Sequence, residues 1–145
     1  MVKYLLKKSY RLKNLKEIKY DDLWNKDGVF TTMWLYNKPQ KILFFKSHID
    51  NLLKSLKAYK IYEKDIRSKI LRLIYENIDK KKFYNHLLRI ALNKKIISIS
   101  LRDKIRPKQN FGIKLVDYER VRPQYKNLKY KKILNYLSKI NTSKE

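Results

Sequence analysis

The sequence predicts an α+β domain: a mixed, mainly antiparallel sheet carrying two main helices. Three observations support this. Gly28–Tyr36 (GVFTTMWLY) is dense in β-branched and aromatic residues, the composition of a half-buried strand. Two later stretches carry apolar residues at helical spacing. The period then changes back to that of strands, in HLLRIAL (86–92) and KIISISLRD (95–103).

Taken in order, Asn37-Lys38-Pro39-Gln40 is a turn signal, and KILFF (41–45) reads as the return strand of a hairpin. Ser47 with Asp50 three residues on matches a capping box. Behind it, Ile49, Leu52, Leu53, Leu56 and Tyr59 form one helical stripe. A second helix is expected from about 63 to 79, with Ile66, Ile70, Leu73, Ile74 and Ile78 on its apolar face. Strands 86–92 and 95–103 turn around Asn93-Lys94. A loop is expected over 105–112, a strand over 113–121 and a further loop after it; 128–140 reads equally as a short helix or an extended segment. No composition shift marks a linker, so residues 1–145 are expected to form one domain.

Composition excludes several functions. With no cysteine, disulfides, thiolate zinc sites and a cysteine nucleophile are ruled out. Two histidines, His48 and His86, among scattered acids do not make a metal site, so none is expected. Gly 2 and Pro 3 leave no room for a glycine-rich phosphate loop. The N-terminus lacks the apolar run of a signal peptide, and no stretch nears the ~20 apolar residues of a membrane span; a cytoplasmic protein is expected. The Asp21-Asp22 pair reads as a solvated pair or a cap. The net charge of +24 suits a polyanionic partner. Of 37 basic residues, however, 29 are lysine and 8 arginine, and they are spread along the chain. That pattern fits AT-rich codon usage better than a dedicated nucleic-acid reader. Non-specific polyanion binding is still expected of such a charge, and a small basic nucleic-acid-binding module is the alternative reading. Lysine remains as the chemically useful residue, since a lysine of lowered pKa forms Schiff bases.

Four motifs in order select one lysine. Lys26-Asp27-Gly28-Val29-Phe30-Thr31-Thr32-Met33-Trp34-Leu35-Tyr36 approximates G-D-G-x-F-E-T-x-R-x-Y. His48-Ile49-Asp50-Asn51-Leu52-Leu53-Lys54-Ser55 approximates H-x-x-R-L-x-x-S. Arg89 is central in LLRIAL, and Lys132-Ile133-Leu134-Asn135-Tyr136-Leu137 matches K-x-x-N-Y-L. Over roughly 20–140 the chain resembles the N-terminal portion of the class IV pyridoxal-phosphate enzymes: branched-chain and D-amino acid aminotransferases and 4-amino-4-deoxychorismate lyases. The resemblance implies that fold and that cofactor. It implies Lys132 (alternatively Lys131) as the Schiff-base lysine, with Tyr136, Arg89 and Asn51 on the cofactor side. Two departures accompany it: Asn51 stands where the family has a phosphate-binding Arg, and Trp34 where the first motif has its Arg. A neutral amide does not replace a bidentate guanidinium. The resemblance further implies a truncated protein. Residues about 122–145 would begin the interdomain segment and the second domain would be absent. A lone chain would then be weak or inactive, completed by a homodimer partner or a second-domain polypeptide.

Overall fold

The computed structural model describes residues 2–106, 113 and 115–139. The element order is β1 (Tyr4–Arg11), β2 (Glu17–Ile18), β3 (Val29–Asn37), β4 (Lys41–Ile42), α1 (Phe45–Ala58), α2 (Ile66–Asn77), β5 (Tyr84–Leu92), β6 (Ile96–Asp103) and α3 (Lys131–Ser138). Every strand pairing is antiparallel, in the order β2-β1-β6-β5-β3-β4. The α+β expectation holds, with α1 and α2 as the main helices.

Alternation along the strands divides the sheet into two faces. Val29, Met33 and Leu35 of β3, Leu88, Ile90 and Leu92 of β5, and Ile97, Ile99 and Leu101 of β6 turn to one side. There they meet Ile49, Leu52 and Leu56 of α1 and Ile70 and Leu73 of α2, which are the stripes read from helical spacing. The opposite face carries a smaller cluster of Leu23, Phe30, Ala91 and Leu128, flanked by Trp24 and Tyr130.

The local expectations that fail do so for identifiable reasons. Only Lys41–Ile42 of KILFF is strand, and Phe45 already begins α1. Ser47 therefore lies inside the helix; the cap position is Phe44 in a left-handed conformation, with no side-chain cap bond. β1 is an addition to the expected elements, and it pairs with β6 from Tyr4 to Arg11. It thereby fills the flank of β6, so the strand expected at 113–121 has no edge there. Residues 115–120 carry no regular structure, and Leu115 is 92% exposed. The 128–140 segment resolves as α3, whereas 107–112 and the tail from Ile140 lie outside the described residues.

Candidate functional site

The opposite face of the sheet is built in rows by strand register. Thr32 pairs with Arg89, Arg89 with Ser100 and Ser100 with Lys7. The next row out is Trp34, Leu87, Arg102 and Tyr4. The row further in is Phe30, Ala91, Ser98 and Ser9, and it is roofed by the 20–24 segment. Two serine hydroxyls pin that segment. Ser9 and Ser98 share a bond of 2.8 Å, Ser98 donates to the Asp21 carbonyl at 2.6 Å, and Asp21 N–H donates to Ser9 Oγ at 2.9 Å. The Asp21 side chain accepts from Leu23 N–H at 2.9 Å and pairs with Lys26, while the Asp22 side chain accepts from Trp24 N–H at 3.0 Å. Both acids of the Asp21-Asp22 pair thus act as local turn caps, as composition suggests.

This roof leaves a cavity of about 320 Å³ over the Arg89 row. Arg89 forms its centre. Its guanidinium lies 3.9 Å above the Trp24 ring, and Nη1 donates to the Asp22 carbonyl at 2.9 Å. Nε and Nη2 are buried and have no partner among the described residues. Burial lowers the pKa of this guanidinium, while Tyr20 and Asp22 oppose the shift. Two unsatisfied, charge-bearing donors in a buried position are costly, and a carboxylate or phosphate oxygen would satisfy both. Around them stand the hydroxyl-bearing Thr32, Ser100 and Tyr20 and the cations Lys7 and Arg102. Burial raises the Tyr20 pKa against its Ser100 hydrogen bond, so its hydroxyl stays protonated and can donate. Tyr130, Ile133, Leu134 and Leu137, the last three from α3, close the cavity from above.

The four residues expected around the cofactor are not brought together. Arg89 lies in this cavity. Asn51 lines a second cavity of about 310 Å³ with His48, Lys54, Gln124 and Lys126, beyond Phe30. Lys132 is exposed, with Nζ 5.6 Å from the Tyr118 ring, and Tyr136 also lies beside Tyr118. Helix α3 turns Ile133, Leu134 and Leu137 to the Arg89 cavity, and Lys132 and Tyr136 are not among its lining residues. Lys131 is exposed as well.

A match to the family model described as amino-transferase class IV covers residues 28–145. The chain belongs to the class IV aminotransferases. None of the curated proteins and none of the solved structures compared matches it. Among class IV aminotransferases pyridoxal phosphate is the general cofactor. In this arrangement the described residues do not fit it: the candidate lysine, the Asn51 cavity and the Arg89 cavity face three different places, and Asn51 supplies no charge to a phosphate. No chemical step is therefore assigned to the cofactor here. Gly28 and Phe30 of the first motif have structural work at the head of β3, where Gly28 meets the Leu92 backbone and Phe30 packs between Trp24 and Tyr130.

Sequence reasoning missed Tyr20, Trp24, Lys7 and Arg102 as site residues. Their joint position depends on cross-strand register. The one local signal is the alternation in Ser98-Ile99-Ser100-Leu101-Arg102, which puts Ser98, Ser100 and Arg102 on a single face. Neither histidine is placed as a ligand, and the described residues contain no group of potential metal ligands. His86 lies 3.4 Å from Asp103. His48 Nδ1 bonds Thr31 Oγ1 at 2.9 Å, and burial first, then Lys126, lowers its pKa. A lowered folded pKa means that the neutral ring is favoured on folding. Stability is then complete above the ordinary histidine range and falls as pH drops from about 6.5 toward the folded value. His48→Gln is expected to flatten the slope of Tm against pH across that window. An unchanged slope would show that His48 does not contribute to it.

Proposed function

We propose that the chain supplies the carboxylate-recognising part of a class IV site, serving amino-group transfer or lyase chemistry on an amino-acid-like carboxylate. The observation that supports this most directly is Arg89, with Nε and Nη2 buried and unpartnered in a cavity of about 320 Å³. A fork of this kind binds a carboxylate through paired, charge-assisted bonds. Lys7 and Arg102 add attraction, and Tyr20, Ser100 and Thr32 offer further hydroxyls. Ile133, Leu134 and Leu137 of α3 add an apolar wall on one side of the cavity.

As a lone chain the protein is proposed to be weak or inactive. Family chemistry would need a lysine amine close enough to the carboxylate-bound substrate to move the proton at its α-carbon. Lys132 lies outside the cavity that holds Arg89. Completing the site requires α3 to be re-seated, or a second copy or second polypeptide to bring its own groups to the Arg89 row. The cytosol is the proposed setting, since the chain has no cysteine and no described helix is long and apolar enough to cross a membrane. Calorimetric titration with glutarate tests the recognition half. One saturable site that weakens with added salt supports the reading, and an absence of binding heat at millimolar ligand overturns it.

A further inference from the structure

The outer part of the same sheet face runs on from the Arg89 cavity, sharing Tyr4, Lys7 and Arg102 with its lining and extending past it to Trp34 and Tyr36. There Trp34 and Tyr36 of β3 are only partly covered, with ring centroids 4.7 Å apart and planes 30° from each other. Lys104 Nζ lies 3.4 Å from the centre of the Trp34 ring, and Trp34 Nε1 donates to Asn85 at 2.9 Å. Across the row from Trp34, register places Leu87, then Arg102, then Tyr4 on the far strand. Tyr4 is 42% exposed, and Lys7 Nζ lies 4.2 Å from its ring centre. The result is a strip about 14 Å wide, three strand spacings, with an aromatic ring at each end and a cation against each ring.

We propose that this strip binds single-stranded nucleic acid. Partly exposed rings on an antiparallel sheet offer stacking surfaces to unpaired bases once the flexible lysines over them, Lys104 on Trp34 and Lys7 on Tyr4, swing aside to take the phosphates. Charge selects among the possible occupants. Lys7, Arg102 and Lys104 line the strip, and the whole chain carries a net charge of +24. A second copy of this chain would bring the same cations to the interface, so like faces repel. A single strand supplies both charge complementarity and flat rings. Duplex buries its base faces and cannot use Trp34 and Tyr4. The strip adjoins the carboxylate site: Tyr4, Lys7 and Arg102 also line the Arg89 cavity, whereas Trp34, Tyr36 and Lys104 lie outside it, so the Trp34 variant reads the strip alone.

Fluorescence anisotropy of the full chain tests the proposal, using a labelled thymidine 12-mer and a duplex of equal length at matched salt. The single strand is expected to bind more tightly than the duplex. Trp34→Ala and Tyr4→Ala are each expected to weaken single-strand binding by roughly 5-fold or more and to leave duplex binding unchanged. Lys104→Ala is expected to reduce the salt dependence. Lys60→Ala with Lys94→Ala, in a separate basic cleft also lined by Tyr59 and Arg122, serves as the charge control and is expected to retain the single-strand preference. Equal affinity for the two forms, with no effect of Trp34→Ala, would overturn the proposal and leave only the general attraction of a basic protein. A change of oligomeric state in Trp34→Ala with oligonucleotide affinity intact would also overturn it, and would make the strip a protein interface.

Discussion

Arg89→Met is expected to abolish the glutarate site while leaving the fold intact. The lost contact is charge-assisted and sheltered from water, worth about 2–3 kcal/mol, which corresponds to roughly 30- to 150-fold in affinity. The stability outcome separates this from simple damage. In the free chain two donors of Arg89 are buried without partners, and methionine removes them while placing an apolar group of similar length beside Trp24 and Phe30, where the guanidinium now lies; the Nη1 bond to the Asp22 carbonyl is lost with them. Replacing buried charged groups by well-packed apolar ones of similar volume is often neutral or stabilising, and the two unpartnered donors of Arg89 place it in that class. The Tm of Arg89→Met is therefore expected to stay level or rise as binding disappears. Arg89→Lys keeps the charge but loses the planar fork, and is expected to retain weak, salt-sensitive binding. A Tm that falls by several degrees in Arg89→Met, or undiminished glutarate affinity, would remove Arg89 from its assigned role.

The second large effect concerns Gly28. A Cβ at this position would lie 2.2 Å from the Leu92 carbonyl oxygen and 2.8 Å from Leu128 Cδ1. The first of these neighbours is backbone of β5, held in register with β3 by the Val29–Leu92 pair. The 126–128 segment bonds along the same stretch, through Leu128 N–H to the Gly28 carbonyl at 3.0 Å and Phe30 N–H to the Lys126 carbonyl at 2.9 Å. The Leu128 methyl can turn aside, but the Leu92 carbonyl is fixed in the ladder, so Gly28→Ala must push β3 and β5 away from each other at the point where both hydrophobic clusters begin. The expected cost is about 3 kcal/mol, at the upper end for overpacking, or a fall in Tm of about 10 °C for a domain of this size. Asp27→Ala, next to it but exposed, is expected to change stability by less than about 0.5 kcal/mol. Thermal unfolding of the pair decides the matter. Equal Tm values for the two variants would mean that β5 yields freely at Leu92.

The helical parts of this fold are written locally. Ile49, Leu52 and Leu56, and then Ile70 and Leu73, repeat at helical spacing and meet the sheet as expected. β3, β5 and β6 are equally plain, because long apolar and β-branched runs need a sheet to bury both faces. β1 is not plain, since Tyr4-Leu5-Leu6-Lys7-Lys8 mixes apolar and basic residues without clean alternation. Its place beside β6 comes from pairings such as Ser9 with Ser98, which no local window contains. The opposite error at 113–121 has the same origin: residues 115–120 stay irregular, and the flank of β6 is already taken by β1. Arg89 is legible through family resemblance, and so is the position of Lys132. The direction in which α3 turns Lys132 is not, because it depends on how Ile133, Leu134 and Leu137 seat against the Arg89 cavity.

The recognising arginine and the candidate lysine stand apart in this chain, and borohydride trapping tests that separation directly. The purified chain is incubated with pyridoxal phosphate, reduced, digested and mapped for pyridoxyl-lysine, alongside Lys132→Ala and Lys131→Ala. The expected result is scattered, sub-stoichiometric labelling over exposed lysines, unchanged in either variant. Stoichiometric labelling at Lys132 that Lys132→Ala abolishes would contradict it, and would show that α3 delivers its lysine to a cofactor site within this chain.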